Sequence, residues 1–307
     1  MAQRLNQGIA KLREWFSLMR ETVTLWLDSN AFSYAGSLAF YTLFSLAPVV
    51  IIAVTIIGVV LGQDAAQGQI VGQLEDVMGR EAAEAVERTV ARSRPAEAGF
   101  LPGLFGVGAL LVGATTVFAQ MQYSLNTIWG VAAHPKRNSI LALIMSRLFS
   151  LTIVLAIGFV LLVSLMMGVA LRAFLHFADA YIPVSPWVAE STESLLALGL
   201  ITLLFATIFK VLPDVVLSWR DVLPGALLTS LLFMLGRDAI AAYLGYTAPA
   251  SAYGAAGSVV LILLWVYYSS LILLFGAAFT KVHLQARNKP LIPRNSAAIV
   301  ERRLVVD

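Results

Sequence analysis

A stretch of 32 residues from Ala31 to Gly62 contains no acidic or basic side chain. A helix needs only about 20 apolar residues to cross a bilayer, so this stretch predicts a membrane span. Five of its residues nevertheless recur at helical spacing along one side, namely Tyr34, Ser37, Tyr41, Ser45 and Pro48. Because polar groups in hydrocarbon need partners, we expect this side to face protein or a watery cavity instead of lipid.

The whole chain has the composition of an integral membrane protein. Hydrophobic residues make up 59% of its 307 residues and charged residues only 13%, unlike a soluble domain. The net charge of +3 is explained by basic loops on one membrane face, and the sequence has no arginine-aromatic patch typical of nucleic-acid binding. Cysteine is absent, which excludes disulfides and cysteine metal sites.

The apolar segments predict an all-α, polytopic fold with six transmembrane helices. These spans lie at about residues 31–62, 100–131, 140–171, 194–212, 222–244 and 254–282, within a membrane domain of residues 31–283. Residues 1–30 predict an amphipathic helix, either at the membrane interface or packed on the protein's own cytoplasmic side. Residues 63–99 predict an acidic loop outside with two more amphipathic helices, which either cap a cavity or pack on the bundle.

The distribution of basic residues predicts the orientation. Most Lys and Arg fall on one side if both termini are cytoplasmic, including those of the basic tail at residues 284–307. This bias agrees with the positive-inside rule. We therefore expect a multi-pass protein of the bacterial cytoplasmic (inner) membrane with both ends inside.

Three groups of polar residues are candidates for a substrate path. The first is the stripe on the opening span, and the second is the amide group Gln120, Gln122 and Asn126 near the end of the second span. Both groups can line a path or simply bond to neighbouring helices. The third is Arg237 and Asp238 in the fifth span, which can handle substrate, form an interhelix bond or snorkel to the outer interface. Because adjacent helix positions lie about 100° apart, we expect these two to have different partners.

Enzyme chemistry finds little support in the sequence. The three histidines, His134, His176 and His283, are isolated and lack the spacing of metal ligands or catalytic bases. A Walker-type phosphate loop is absent as well. We therefore expect no enzyme activity, no catalytic residue, no metal and no cofactor.

Four strings in series resemble one known family: SYAGSLAFYTLFSLAPVV, LNTIWGV, LPDVVLSWRDVLPGALLTSLLF and YGAAGSVVLILLWVYYSSLILLFGAAFT. They resemble the YihY/BrkB family of bacterial inner-membrane proteins, also called ribonuclease BN-like, over roughly residues 20 to 285. The resemblance implies a six-helix membrane protein and supplies no catalytic residues. A ribonuclease is not expected, because the chain lacks a metal-ligand cluster and a basic RNA-binding surface.

These features predict a transporter, with a polar cavity bounded by spans one, two, five and six, that moves a lipid or other amphiphile without its own ATPase. The alternatives are a passive channel for a small solute or ion and a structural or assembly factor of the cell envelope. Membrane lipids are the expected partners and nucleic acid is not. The sequence is compatible with a homo-oligomer as well as a monomer.

Overall fold

The computed structural model describes residues 2–45, 72, 100–133, 186–247 and 257–300. Pro48, the predicted third span at 140–171 and nearly all of the loop at 63–99 lie outside these residues. The helices are α1 (Ala2–Asp28), α2 (residues 31–45), α3 (Phe100–Trp129), α4 (Pro186–Val211), α5 (Trp219–Thr247) and α6 (Gly257–Ala286). Two short strands, β1 (Val131–Ala133) and β2 (Ala297–Ile299), complete the described structure.

Within the described residues, three helices are long and apolar enough to cross a membrane. The segments are Ser194–Val211, Trp219–Ile240 and Val259–Ala286, with mean hydropathies of 2.1, 1.3 and 2.3. They coincide with the predicted fourth, fifth and sixth spans. The mostly helical, membrane-spanning class is thus confirmed, while the number of six spans stays a prediction.

Helix ends meet at one end of the bundle, which we call the polar end: the ends of α3, α4 and α6 and the start of α5. Lys281 of α6 binds the last turn of α3, and Lys289 just after α6 pairs with Asp221 in the first turn of α5. The start of α2 lies near the same end, since Tyr34 packs on Tyr123. Helices α2 and α3 therefore run in opposite directions, as do α4 and α5, and α5 and α6, whereas α3 and α4 both end at the polar end.

Helices α5 and α6 approach closely through two reciprocal Gly-x-x-x-Thr patterns. A Cβ added at Gly225 of α5 would lie 1.9 Å from Thr280 Oγ1, and one added at Gly276 of α6 would lie 1.8 Å from Thr229 Oγ1. Each threonine hydroxyl donates to the carbonyl of the glycine one turn earlier in its own helix, at 2.6 and 2.7 Å. Small residues at this spacing let membrane helices pack backbone to backbone.

The hydrophobic core is richest toward the polar end. Trp129, Phe209, Leu212 and Leu274 are among its largest fully buried side chains, and they come from α3, α4, the α4–α5 turn and α6. Helix α2 joins this core mainly through small residues on one side, including Ala31 and Ala35. Its large aromatic side chains Phe40 and Phe44 are exposed on the other side.

Residues 287–300 fold back across the polar end, and we call them the C-terminal belt. Strand β2 within the belt pairs antiparallel with β1, and Val216 N–H donates to the Ile292 carbonyl at 2.9 Å. The sequence predicts only a basic tail from residue 284 and an all-α fold. The difference arises because the apolar run after Ser296 can pair with the backbone that follows α3, which the charge count of the tail does not reveal.

Candidate functional site

Asn126 of α3 binds the turn between α4 and α5 through both ends of its amide. Its Nδ2 donates to Asp214 Oδ2 at 2.8 Å, and its Oδ1 accepts the backbone N–H of Asp214, also at 2.8 Å. Gln122, one turn earlier, donates to the same carboxylate oxygen at 3.3 Å. Asn126 is buried, and buried polar groups are stable only with such partners. Two of the three predicted amides therefore meet at Asp214.

Gln120, the third predicted amide, is half-buried on α3, and its backbone carbonyl accepts a hydrogen bond from Ser124 Oγ at 2.8 Å. Asp214 itself, the partner of these amides, was not among the candidate residues from the sequence. The available signal was its place directly after Pro213, which ends α4 because proline cannot continue a helix.

Arg294 of the C-terminal belt caps the end of α4. Its two terminal nitrogens donate to the carbonyls of Val211 at 3.2 Å and Lys210 at 3.1 Å. The last carbonyls of a helix lack intrahelical partners and carry partial negative charge, so a guanidinium is well matched to them. The backbone N–H of Arg294 also donates to the Asp214 carbonyl at 2.9 Å, which ties the belt to the same turn.

Lys281 of α6 has the corresponding role at α3. Its ammonium donates to the Ile128 carbonyl at 2.8 Å, beside Gly130, whose φ of 72° is the left-handed conformation that commonly ends a helix. Lys210 donates to the Leu217 carbonyl at 2.8 Å and lies 5.3 Å from the ring centroid of Trp219. Basic residues that the sequence analysis counted for orientation thus also hold helix ends together at the polar end.

The polar stripe on α2 divides between packing and exposure. Ser45 is buried and donates to the Gly113 carbonyl of α3 at 2.5 Å, while Ser37 donates to the Ser33 carbonyl of its own helix at 3.0 Å. Tyr34 packs edge-on against Tyr123 with ring centroids 5.8 Å apart. Tyr41 is 37% exposed, so only part of the stripe faces the rest of the protein.

Arg237 and Asp238 pair with each other, contrary to the expectation of separate partners. Arg237 Nε lies 3.1 Å from Asp238 Oδ1, because the long arginine side chain can reach back to a neighbour about 100° round the helix. The Arg237 side chain is 36% exposed and that of Asp238 is 69% exposed. Exposed leucines precede the pair along α5, at Leu223, Leu227, Leu231 and Leu235. At 100° per residue Asp238 falls within this leucine face.

Helix α6 lies between the stripe and the charged pair. A Cβ added at Gly36 of α2 would be 4.0 Å from the Tyr267 ring, and Tyr268 donates its hydroxyl to the Leu232 carbonyl of α5 at 3.4 Å. The structure therefore brings Gln122 and Asn126 together and Arg237 and Asp238 together, with α6 separating this pair from α2. Among the residues that the structure describes, no group of three His, Asp or Glu side chains could hold a metal ion.

A profile of the family described as Virulence factor BrkB matches residues 23–299. The chain belongs to the BrkB family. The match takes in α2 to α6 and ends at the last residue of β2, so it includes both the charged pair and the contacts at the polar end. The resemblance seen in the four sequence strings is confirmed.

Several curated membrane proteins are similar to this BrkB-family protein. A UPF0761 membrane protein of Xanthomonas oryzae pv. oryzae is 28% identical over 299 residues, covering 92% of this chain and 66% of the relative. Similar proteins occur in Stenotrophomonas maltophilia, at 27% over 269 residues, and in Azoarcus sp., at 27% over 249 residues. The chain spans 58–66% of the length of these relatives. No solved structure matches it.

Proposed function

We propose that this BrkB-family protein is a transporter that moves a lipid or other amphiphile across or within the bacterial cytoplasmic membrane, without its own ATPase. The observation that carries the proposal is the Arg237–Asp238 ion pair, in which Asp238 is exposed on the leucine face of α5 and Arg237 lies at the edge of that face. A polar group in that position is reached from the bilayer, as an amphiphile would reach it.

The depth of the pair supports this proposal. Asp221 pairs with Lys289 at the polar end, and Arg237 follows 16 residues later. Sixteen residues of helix rise about 24 Å, within a hydrocarbon layer of about 30 Å. Ionised groups at such depth are costly in contact with acyl chains, and they favour a site that handles a polar substrate group. A lipid headgroup is such a group, since a phosphate fits a guanidinium and an ammonium fits a carboxylate.

The packing of α5 against α6 favours an amphiphile over an aqueous channel between these two helices. Their interface is filled by the two Gly-x-x-x-Thr patterns, and further along by the Tyr268 ring, which lies against Gly236. The charged pair does not line that interface but the exposed side of α5. A path along the protein surface therefore suits these groups better than a pore between α5 and α6.

The proposal is tested by reconstituting the full chain in liposomes with fluorescent phospholipids of several headgroups and measuring their movement between leaflets. We expect movement above protein-free vesicles. The double substitution Arg237→Gln with Asp238→Asn removes both charges together and should slow it about tenfold or more, as expected for charge-assisted contacts. Arg220→Gln, which removes an exposed charge at the polar end of the same helix, is the matched control and should transport normally.

Two outcomes would contradict the proposal. Wild-type protein that moves no labelled lipid faster than empty vesicles would reject lipid transport. A conductance in planar bilayers that survives the double substitution would favour the passive channel instead.

A structural or assembly role is the second candidate, favoured by the contacts at the polar end. Asp214, Arg294 and Lys281 all serve to join helix ends there. This role predicts that variants at Arg237 and Asp238 keep full function in cells, whereas variants that loosen the polar end lose it.

A further inference from the structure

Helix α1 has three distinct faces along its described side chains. One face packs on α6: Trp15 stacks on Phe279 with centroids 6.2 Å apart, and Trp26 meets Phe275 edge-on at 5.9 Å. Thr22, on the same side, is fully buried. This face fixes α1 to the bundle.

The second face is an apolar strip that the bundle leaves exposed. Phe16, Val23 and Leu27 are 75%, 42% and 50% exposed and follow one another at helical spacing. Arg20 and Arg13, both exposed, lie about 40–60° round the helix from Phe16. The exposed acids Glu14 and Glu21 form the third face, about 140–160° from Phe16. The charges are thus sorted, with arginines bordering the apolar strip and acids turned away from it.

The contacts of the two tryptophans set the direction of α1. Trp15 and Trp26 are 11 residues apart, about 16 Å along α1, yet they contact Phe279 and Phe275, which are about 6 Å apart along α6. The two helix axes therefore cross steeply. Since α6 is long and apolar enough to span the membrane, a helix that crosses it steeply near its end runs close to the membrane plane. Asn30, with φ of 54°, then turns the chain into α2.

We infer that α1 is a binding surface for anionic phospholipids of the leaflet at the polar end. Phe16, Val23 and Leu27 insert among the upper acyl chains, and Arg13 and Arg20 bind the headgroup phosphates at the strip's edge. The acids on the opposite face remain in water. This is the charge arrangement of helices that lie in a negatively charged interface. The inference does not depend on which substrate, if any, the protein transports.

The absence of cysteine in the sequence makes a direct test simple. Single spin labels are introduced through Phe16→Cys, Leu27→Cys, Glu14→Cys and Glu21→Cys in the full chain, placed in nanodiscs of zwitterionic lipid with or without anionic lipid. We expect labels at 16 and 27 to be relaxed by oxygen from the bilayer, and labels at 14 and 21 by a water-soluble nickel chelate. Equal access of the chelate to positions 16 and 14 would overturn the inference and favour a protein partner for the strip.

The lipid charge is tested by titrating a short-chain anionic phospholipid into the zwitterionic nanodiscs and following the label at position 27. Each basic residue near an anionic surface contributes roughly a fivefold gain in affinity, so Arg13→Gln with Arg20→Gln should weaken binding about 10- to 30-fold. Glu14→Gln with Glu21→Gln is the matched control and should bind at least as tightly as the parent. Equal responses to anionic and zwitterionic short-chain lipid would refute selectivity for anionic lipid.

Discussion

At the scale of single residues, Asn126 and Asp214 form a polar contact that joins α3 to the turn between α4 and α5. The buried Asn126 amide bonds to both the backbone and the side chain of Asp214. Each of these polar groups therefore has a hydrogen-bond partner. Such a contact is asymmetric in its energetics, because removal of one partner leaves the other unsatisfied. We therefore expect loss of this contact to change the stability of the protein before it changes any activity.

We expect Asn126→Leu to lower stability, since it removes two hydrogen bonds to Asp214 and leaves that residue's N–H and carboxylate short of partners. The cost should be about 1–3 kcal/mol, measured as a lower Tm of the purified protein in detergent. Gln122→Leu is the comparison, with a smaller loss because its single bond is longer, at 3.3 Å. Equal Tm values for Asn126→Leu and the parent would show that the contact contributes little.

At the scale of helices, the pairing of α5 and α6 shows how small residues determine a membrane interface. Lipid chains are as apolar as leucine, so tight packing and not hydrophobicity holds two such helices together. Gly225 and Gly276 allow the close approach, and Thr229 and Thr280 fill the space beside them. The threonine hydroxyls bond within their own helices, so neither hydroxyl is left without a partner.

Gly225→Ala should destabilise the helix pair, because the new Cβ would lie 1.9 Å from Thr280 Oγ1 and 3.0 Å from the Gly276 carbonyl oxygen. Overpacking of this kind costs about 1–3 kcal/mol, again read as a lower Tm. Gly199→Ala is the matched control on α4, where an added Cβ meets nothing within 4 Å. Adding Thr280→Ala to the Gly225→Ala variant should recover part of the loss, and a Gly225→Ala variant as stable as Gly199→Ala would contradict the close approach.

The glycine pattern also shows which structural features can be predicted from the sequence and which cannot. Both Gly-x-x-x-Thr patterns are readable in the strings that identify the family, and the helix positions of α4, α5 and α6 follow from their apolar length alone. The polar contacts are different, because Asn126 and Asp214 are 88 residues apart in sequence and Arg294 reaches back 83 residues to Val211. Local patterns contain no information on which distant turn an amide will meet. The mutual pairing of Arg237 and Asp238 was likewise hidden, since it depends on side-chain reach and not on helical position.

At the scale of the whole molecule, the basic residues that cap or join helices in the described structure lie at the polar end. Lys210, Lys281, Lys289 and Arg294 all lie there, and the C-terminal belt ties α3, α4 and α5 together. Basic residues favour the cytoplasmic side of a membrane. The contacts that stabilise the fold and the positive-inside rule therefore both favour basic residues at the same end of the protein.

We expect the polar end to face the cytoplasm. A single cysteine from Asn295→Cys, at an exposed position in the belt, should react with a membrane-impermeant maleimide only after cells are permeabilised. Ser93→Cys, in the loop predicted outside at residues 63–99, is the opposite-side comparison and should react in intact cells whose outer barrier is open to the reagent. Labelling of position 295 under those same conditions would reverse the orientation.

The sequence by itself determined that this chain is a helical membrane protein, because apolar length, periodicity and charge bias are properties of local segments. Its four motif strings identified the BrkB family. Only the tertiary structure decided which polar residues meet. It joined Asn126 to Asp214, directed Arg294 to the end of α4, and paired Arg237 with Asp238 at the leucine face of α5. The physical reason is that a buried polar group is stabilised by whatever partner the packed fold brings near, and that partner comes from a distant segment of the chain.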